Sequence, residues 1–173
     1  MKYTKNLLLD VTCKMEVSLM KVKNNMLDKV IEIICLIFVV GVPVYIIINW
    51  ANIPDPLPMH YDFAGNVDRW GDKTELIILP IITLIMYGFM TVIERIPQVW
   101  NTGVTITEEN RERVYRTLKY LVKTLKLIVV IDFSYMTINT LMCQDLPIWF
   151  TPAFLLIVFG NLTFWIIRLV KVK

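Results

Sequence analysis

Four long apolar stretches separated by polar segments dominate the hydrophobic pattern of the chain. They cover residues 31–49, 76–93, 127–142 and 150–170. Alone or with flanking residues, each is long enough to cross about 30 Å of hydrocarbon at about 1.5 Å per residue. A soluble four-helix bundle would repeat a polar stripe every three or four residues. Residues 30–50, however, carry one charge, Glu32. The pattern predicts an all-α membrane protein with four transmembrane helices.

These helices divide the chain into two parts. We expect residues 1–29 to form an N-terminal segment and residues 30–173 to form a single membrane domain. Residues 1–29 lack the long apolar core and cleavage site of a secretory signal, so this segment should stay on the mature protein. The predicted spans are about 30–50, 76–94, 120–142 and 150–170, and the long connections are 51–75 and 95–119.

Composition supports the prediction of a membrane protein, and the distribution of charge predicts its orientation in the membrane. The 173 residues are 56% hydrophobic and 19% charged, with a mean hydropathy of +0.58, which excludes an ordinary soluble domain. Lys and Arg concentrate in residues 1–29, 94–119 and 168–173. The positive-inside rule therefore places both termini and residues 95–119 in the cytoplasm, and residues 51–75 outside. The net charge of +3 is not clustered on a soluble module, so nucleic acid is not an expected partner.

The predicted outer loop, residues 51–75, has the composition of an ordered structure. Pro54, Pro56 and Pro58 alternate and favour extended backbone between them. Gly65 and Asn66 both tolerate positive φ and predict a turn. A connection of this length is usually functional or disordered. We therefore expect a small ordered, proline-rich cap between the first two helices.

The loop also carries a family resemblance. The run PDPLPMHYDFAGNVDRWGDK, residues 54–73, resembles the P-x-P-x-H-aromatic and G-x-x-D-x-W-G-x-K signature of the SdpI-type immunity protein family. Residues 101–121 resemble the segment that this family places before its third span. The resemblance implies a multi-span protein of the bacterial cytoplasmic membrane. The best-described members protect a producing cell from its own secreted peptide toxin and draw a repressor to the membrane.

Ligand or toxin contacts are expected along this loop motif. The candidate residues are Pro54, Pro56, Pro58, His60, Tyr61, Gly65, Asp68, Trp70, Gly71 and Lys73. His60 has three alternative roles: hydrogen bonding within the cap, ligand contact, or metal binding with nearby aspartates. The spacing matches no dedicated zinc or calcium site, so no metal is expected. Trp70 is either an interface anchor in a solvated, salt-bridged turn or the centre of a recognition surface.

Asp132 is the sharpest polar signal inside the predicted spans. It lies about 18 Å from Tyr120 along the third helix, near the middle of the bilayer, where an ionised carboxylate is costly. Thr83 and the carbonyl of Val39, which Pro43 frees, should reach the same depth. We expect a neutral Asp132 to donate a hydrogen bond to one of these two groups.

Two further polar residues complete the predicted interior. Asn161 should lie level with Lys126 and pair with it or extend toward the cytoplasm. Asn139 shares a helix face with Asp132 and Met136, and this stripe should face the bundle interior. Polar residues at such depth either hold helices together or form a proton or ion pathway.

The third helix should begin in the cytoplasm. Thr107, followed by two glutamates, predicts its N-cap, and Glu112 and Arg116 are spaced for an i,i+4 ion pair. An apolar stripe that includes Val114 and Leu118 should pack on other helices, while the basic residues meet lipid headgroups. A cytoplasmic partner is the alternative.

The chain shows no nucleophile elbow, phosphate loop or dinucleotide fingerprint, so an enzyme is not expected. No cofactor is expected either. The leading hypothesis is immunity against a secreted peptide toxin or envelope stress, through binding at the outer loop. The alternatives are a small transporter or channel that uses Asp132 and an accessory subunit of a membrane complex. Expected partners are membrane lipid, a secreted peptide toxin and a cytoplasmic regulator.

Overall fold

The computed structural model describes residues 24–172, and most of them are helical. Residues 1–23 of the predicted N-terminal segment therefore lie outside the described residues. The four helices are α1 (Met26–Asn49), α2 (Ile78–Arg95), α3 (Arg111–Leu141) and α4 (Phe150–Lys171). A two-stranded hairpin, β1 (Leu57–Tyr61) and β2 (Val67–Gly71), connects α1 to α2.

Three segments of the described chain are long and apolar enough to cross a membrane. They are Met26–Asn52, Lys73–Arg95 and Phe150–Lys171. These segments coincide with the first, second and fourth predicted spans, so the chain is a helical protein with the features of a membrane protein. The third predicted span falls within α3, a continuous helix of 31 residues whose N-terminal half is rich in charge.

Local sequence signals explain where the helices begin. Asn25 caps α1 in a capping box: its side chain accepts from the Asp28 amide at 3.0 Å, and the Asp28 carboxylate accepts from the Asn25 amide at 2.8 Å. Thr107, the predicted N-cap of α3, forms the same kind of reciprocal pair with Asn110, and its carbonyl accepts from the Arg111 amide at 3.0 Å. Thr107 accepts from the amide of Asn110 in a preceding turn, and the helix itself begins at Arg111. The Glu112–Arg116 ion pair is confirmed at 2.6 Å.

α3 is the central element and packs against α1, α2 and α4. One apolar cluster joins α1 to Val130 of α3 around the fully buried Cys35. At the opposite end of α3, Val114 and Leu118 pack against Leu169 of α4. The apolar stripe of α3 is therefore used inside the fold, as its structural interpretation predicted.

The hairpin segment, residues 50–77, consists of the two strands flanked by short 3₁₀ helices at Trp50–Asn52 and Lys73–Ile77. The strands are antiparallel, with Pro58 opposite Trp70 and His60 opposite Arg69. Leu57 and Leu76 are buried against Ile46 of α1, so the base of the hairpin is part of the helical core.

Gly65 forms the hairpin turn at a φ of +92°, as expected of a glycine at this position. Asn66 was predicted to tolerate positive φ as well, but it does not adopt it. Its backbone and side-chain nitrogens instead each donate to the Asp62 carboxylate at 2.9 Å. The turn is therefore closed by an aspartate that sequence reasoning did not single out for this role.

Candidate functional site

The hairpin segment docks onto the end of α3 and the connection from α3 to α4. The Leu146 amide donates to the Gly65 carbonyl at 2.8 Å, and the Val67 amide donates to the Asp145 carboxylate at 2.8 Å. The hydroxyl groups of Tyr61 and Thr140 lie 3.3 Å apart. These contacts hold the hairpin in one position over the helices.

A cavity of about 300 Å³, the hairpin cavity, lies beneath the docked strands. Its lining comes from both strands, from the turn before α2, and from α2 and α3. Polar lining is supplied by His60, Tyr61, Arg69, Glu75 and Thr140, whereas Met136 and Leu79 contribute apolar surface. A volume of this size and a mixed lining are typical of ligand sites.

One ion pair and one hydrogen bond between an imidazole and a carboxylate set the electrostatics of this region. Arg69 Nη2 lies 2.9 Å from Glu75 Oε2, and His60 Nδ1 lies 2.6 Å from Asp68 Oδ1. The His60 and Asp68 side chains are both largely exposed. The hairpin segment therefore presents a guanidinium, two carboxylates and an imidazole close together.

The aspartates near His60 do not converge on it. Asp55 Oδ1 accepts from the Lys73 amide at 3.3 Å, and Asp62 accepts from Asn66 in the turn. Across the described residues, no group of three histidine, cysteine or acidic side chains is placed to hold a metal ion. Of the three roles considered for His60, the geometry favours hydrogen bonding with Asp68 and access to the hairpin cavity.

The other predicted loop residues have distinct positions. Pro58 is buried within β1 and lines the cavity, while Pro54 and Pro56 are exposed before the strand, with a cis bond preceding Pro56. Trp70 is 51% exposed. Lys73 Nζ lies 5.4 Å from the ring centroid of Trp50.

Gly71 has a packing role. An added Cβ there would lie 2.4 Å from Glu75 Oε1, so this glycine permits the carboxylate to reach Arg69. The cavity brings together Pro58, His60 and Tyr61 among the predicted residues. Sequence reasoning missed Glu75, and it placed Arg69 only among the charges that flank Trp70, not among the contact residues.

The Asp62 turn gives a pH-dependent prediction. The hydrogen bond from the Asn66 side chain lowers the pKa of Asp62. The turn is therefore stabilised fully above the unfolded aspartate pKa of about 4 and loses this contribution as pH falls through the lower folded value. We expect the Asn66 amide, after correction for intrinsic rates, to be less protected from hydrogen exchange at about pH 3 than at about pH 6. Asp62→Asn should show no such difference, and equal protection of the wild type at both pH values would contradict the prediction.

A second polar site, the ionic cluster, joins three lysines of α3 to three acids. Lys126 Nζ lies 2.9 Å from Glu32 and 3.0 Å from Glu94, and Lys123 Nζ lies 2.7 Å from Glu94. Asp28 contacts Lys119 at 3.3 Å and Lys123 at 3.7 Å. The lysine side chains are almost completely buried, and their three positive charges face three negative ones. This arrangement ties α3 to α1 and α2.

The predicted pairing of Lys126 with Asn161 is wrong. Lys126 turns toward the acids of α1 and α2 and also donates to Thr91, at 3.1 Å. Asn161 instead accepts from the indole nitrogen of Trp165 at 3.1 Å. A buried carboxylate attracts a lysine more strongly than a neutral amide does, because the desolvated charges compensate each other. The i, i+4, i+7 spacing of the lysines was the sequence signal for a shared face.

Asp132 does not lie beside the groups that were predicted to accept its hydrogen bond. The Thr83 hydroxyl donates to the Leu79 carbonyl at 2.8 Å within its own helix. Thr83 and Val39 border a small space beside Ser134, whereas Asp132 is half-buried in a separate cavity between α3 and α4. Asn139 is buried near the hairpin and donates to the Gln144 carbonyl at 2.7 Å. The residues of the predicted interior stripe therefore lie in two different places: Asp132 between α3 and α4, and Met136 and Asn139 near the hairpin.

Comparison with known proteins gives a partial match. Residues 34–84 match a family model described as a domain of unknown function (DUF1648). This match covers the last two thirds of α1, the whole hairpin and the start of α2. An uncharacterized protein from the archaeon Archaeoglobus fulgidus is 27% identical over 125 residues, which cover 61% of this chain and 67% of the relative. No solved structure matches the chain significantly.

Proposed function

We propose that the chain is a multi-pass protein of the cytoplasmic membrane that protects the cell from a secreted, membrane-active peptide by binding it at the hairpin segment. In this proposal, both termini and residues 95–119 face the cytoplasm, and the hairpin faces outside. The excess of basic residues in the former segments supports this orientation.

The ionic cluster supports α3 as a fourth spanning helix. Its lysines lower the hydropathy of α3, but each has a carboxylate within 3.7 Å, so the charges enter the bundle in neutralised form. From Lys123 to Leu141 the helix extends about 27 Å, close to the thickness of the hydrocarbon layer. The ionic cluster would then lie at the cytoplasmic boundary of the hydrocarbon layer, and the hairpin would lie at its outer boundary.

The hairpin cavity is the observation that carries the proposal. It combines apolar lining from Met136 and Leu79 with polar groups of both signs, Arg69 and Glu75. A membrane-active peptide presents both apolar side chains and charged groups. The apolar lining can contact the former and the charged lining the latter. Protection would follow because the chain binds the peptide before the peptide inserts into the membrane. The peptide would not be chemically changed.

The test measures membrane potential in toxin-sensitive cells challenged with a secreted pore-forming peptide. We expect cells that express the chain to keep their potential. His60→Ala removes a lining group and Met136→Trp fills the cavity from α3, so both should reduce protection at least about tenfold in the peptide concentration that depolarises half of the cells. Phe63→Ala is the matched control, because Phe63 lies in the hairpin turn, is 71% exposed and does not line the cavity.

The outcome is interpreted at equal membrane levels of each variant. Loss of protection by both cavity variants, with retention by Phe63→Ala, supports binding at the hairpin cavity. Equal depolarisation with and without the wild-type chain would exclude protection against that peptide. Full protection by both cavity variants would place any protective surface elsewhere.

A further inference from the structure

Asp132 has an unusual position among the charges of the protein. The helical stretches 33–49, 78–93, 127–141 and 150–167 contain no other Asp, Glu, Lys or Arg. These stretches lie between the ionic cluster and the hairpin, so Asp132 is the one formal charge at intermediate depth. Within residues 24–172, no hydrogen bond or ion pair involves its carboxylate, which is half-buried beside apolar side chains. A carboxylate in such surroundings is costly unless it is paired or neutralised.

The cavity beside this carboxylate, the α3–α4 cavity, has a volume of about 340 Å³. Its lining belongs to α3, to α4 and to Trp149 just before α4, and no residue of α1 or α2 takes part. Apart from Asp132, the lining side chains are aliphatic or aromatic. The volume suits one small molecule, and the lining suits an apolar one with a single charged group.

The aromatic residues add a second attraction for positive charge. Tyr135 and Phe150 stack with ring centroids 5.2 Å apart, and Trp149 lines the same cavity. Aromatic faces attract cations, most strongly where water is excluded. A neutral lipid chain would fill the apolar space but leave the carboxylate unpaired, and an anion would be repelled by it. A cation with an apolar body satisfies both parts of the lining.

We propose that the α3–α4 cavity is a binding site for a lipophilic monocation, with the positive centre against Asp132 and the apolar body between α3 and α4. This site is separate from the hairpin cavity and goes beyond the proposed protective function. If α3 and α4 both span the membrane, the ligand reaches the site from the lipid phase. The ligand class includes hydrophobic amines and quaternary ammonium or phosphonium ions.

The test uses two probes of nearly the same size and shape but opposite charge, tetraphenylphosphonium and tetraphenylborate. Equilibrium binding of each is measured to the purified full chain in lipid nanodiscs, with empty nanodiscs subtracted. We expect saturable binding of tetraphenylphosphonium that Asp132→Asn weakens at least about tenfold, because the variant removes the ion pair in a poorly solvated site. Tetraphenylborate should show no saturable binding to the wild type.

Two further variants keep the result interpretable. Ala153→Phe fills the cavity from α4 while retaining Asp132, and it should also weaken phosphonium binding at least about tenfold. Thr83→Val is the matched control, since Thr83 is a buried polar residue of a neighbouring helix that does not line this cavity. This variant should bind as the wild type does. If Asp132→Asn fails to fold, Ala153→Phe still decides the question.

The proposal is overturned if folded Asp132→Asn and Ala153→Phe bind tetraphenylphosphonium as tightly as the wild type, because binding would then be partitioning into lipid. It is also overturned if tetraphenylborate binds with equal affinity, which would indicate an apolar groove without charge selection. The assay involves neither the hairpin nor the peptide. Its failure and the failure of the protective function are therefore distinguishable.

Discussion

Replacing Lys126 with methionine is expected to lower the free energy of unfolding by about 3–5 kcal/mol. Methionine retains much of the side-chain length but removes a charge whose surroundings are fully buried, with 0% of Lys126 exposed. Glu32 and Glu94 would then face Lys123 without their second cation. Removing one partner of a buried ion pair costs far more than the pair contributes, because the remaining charge stays desolvated. The measurement is reversible unfolding of the purified chain by sodium dodecyl sulfate in mixed micelles.

Two variants separate charge balance from other effects of this substitution. Lys29→Met makes the same chemical change at an exposed position of α1 and should alter stability by no more than about 0.5 kcal/mol. The double variant Lys126→Met with Glu94→Gln removes one charge of each sign and should recover part of the loss. A Lys126→Met chain as stable as the wild type would show that the cluster is not a structural requirement for joining α3 to α1 and α2.

The ionic cluster also shows which feature of α3 could not be predicted from sequence. Apolar length alone was enough to locate α1, α2 and α4, since each can be recognised from its own residues. The N-terminal half of α3 depends on partners that are distant in the chain, such as Glu32, which lies 94 residues from Lys126. Hydropathy treats those lysines as isolated charges. Their burial becomes acceptable only when the acids of α1 and α2 are placed beside them.

The hairpin illustrates a similar limit at the candidate site. Proline spacing and the Gly65–Asn66 pair predicted extended backbone and a turn in this segment. The strands themselves were not predicted, because each has only five residues, β1 contains Pro58, and the register is irregular on both sides of His60. The far wall of the hairpin cavity comes from Met136 and Thr140 of α3. No local pattern assigns those residues to the hairpin, since the tertiary docking alone brings them there.

Gly65→Ala is expected to detach the hairpin turn from the α3–α4 connection and to cost about 2–3 kcal/mol, the sum of a left-handed backbone penalty and one lost hydrogen bond. Gly65 has a φ of +92°, and an added Cβ would lie 2.3 Å from the Leu146 carbonyl oxygen. The backbone fixes the position of the added Cβ, and the atom it meets belongs to the backbone, so no rotamer change can relieve this contact. The Leu146 amide, which donates to the Gly65 carbonyl at 2.8 Å, should therefore lose its partner.

Gly103→Ala provides the control that separates backbone strain from the docking contact. Gly103 also has positive φ, at +63°, but a Cβ there would meet nothing within 4 Å. It should cost only the conformational penalty of about 1–2 kcal/mol. Hydrogen exchange gives the local readout: the Val67 and Leu146 amides, which both bond across the docking contact, should lose protection in Gly65→Ala and keep it in Gly103→Ala. Equal protection in both variants would mean that the turn adapts to the methyl group without leaving the helices, and the docking contact would then not be what fixes the hairpin over its cavity.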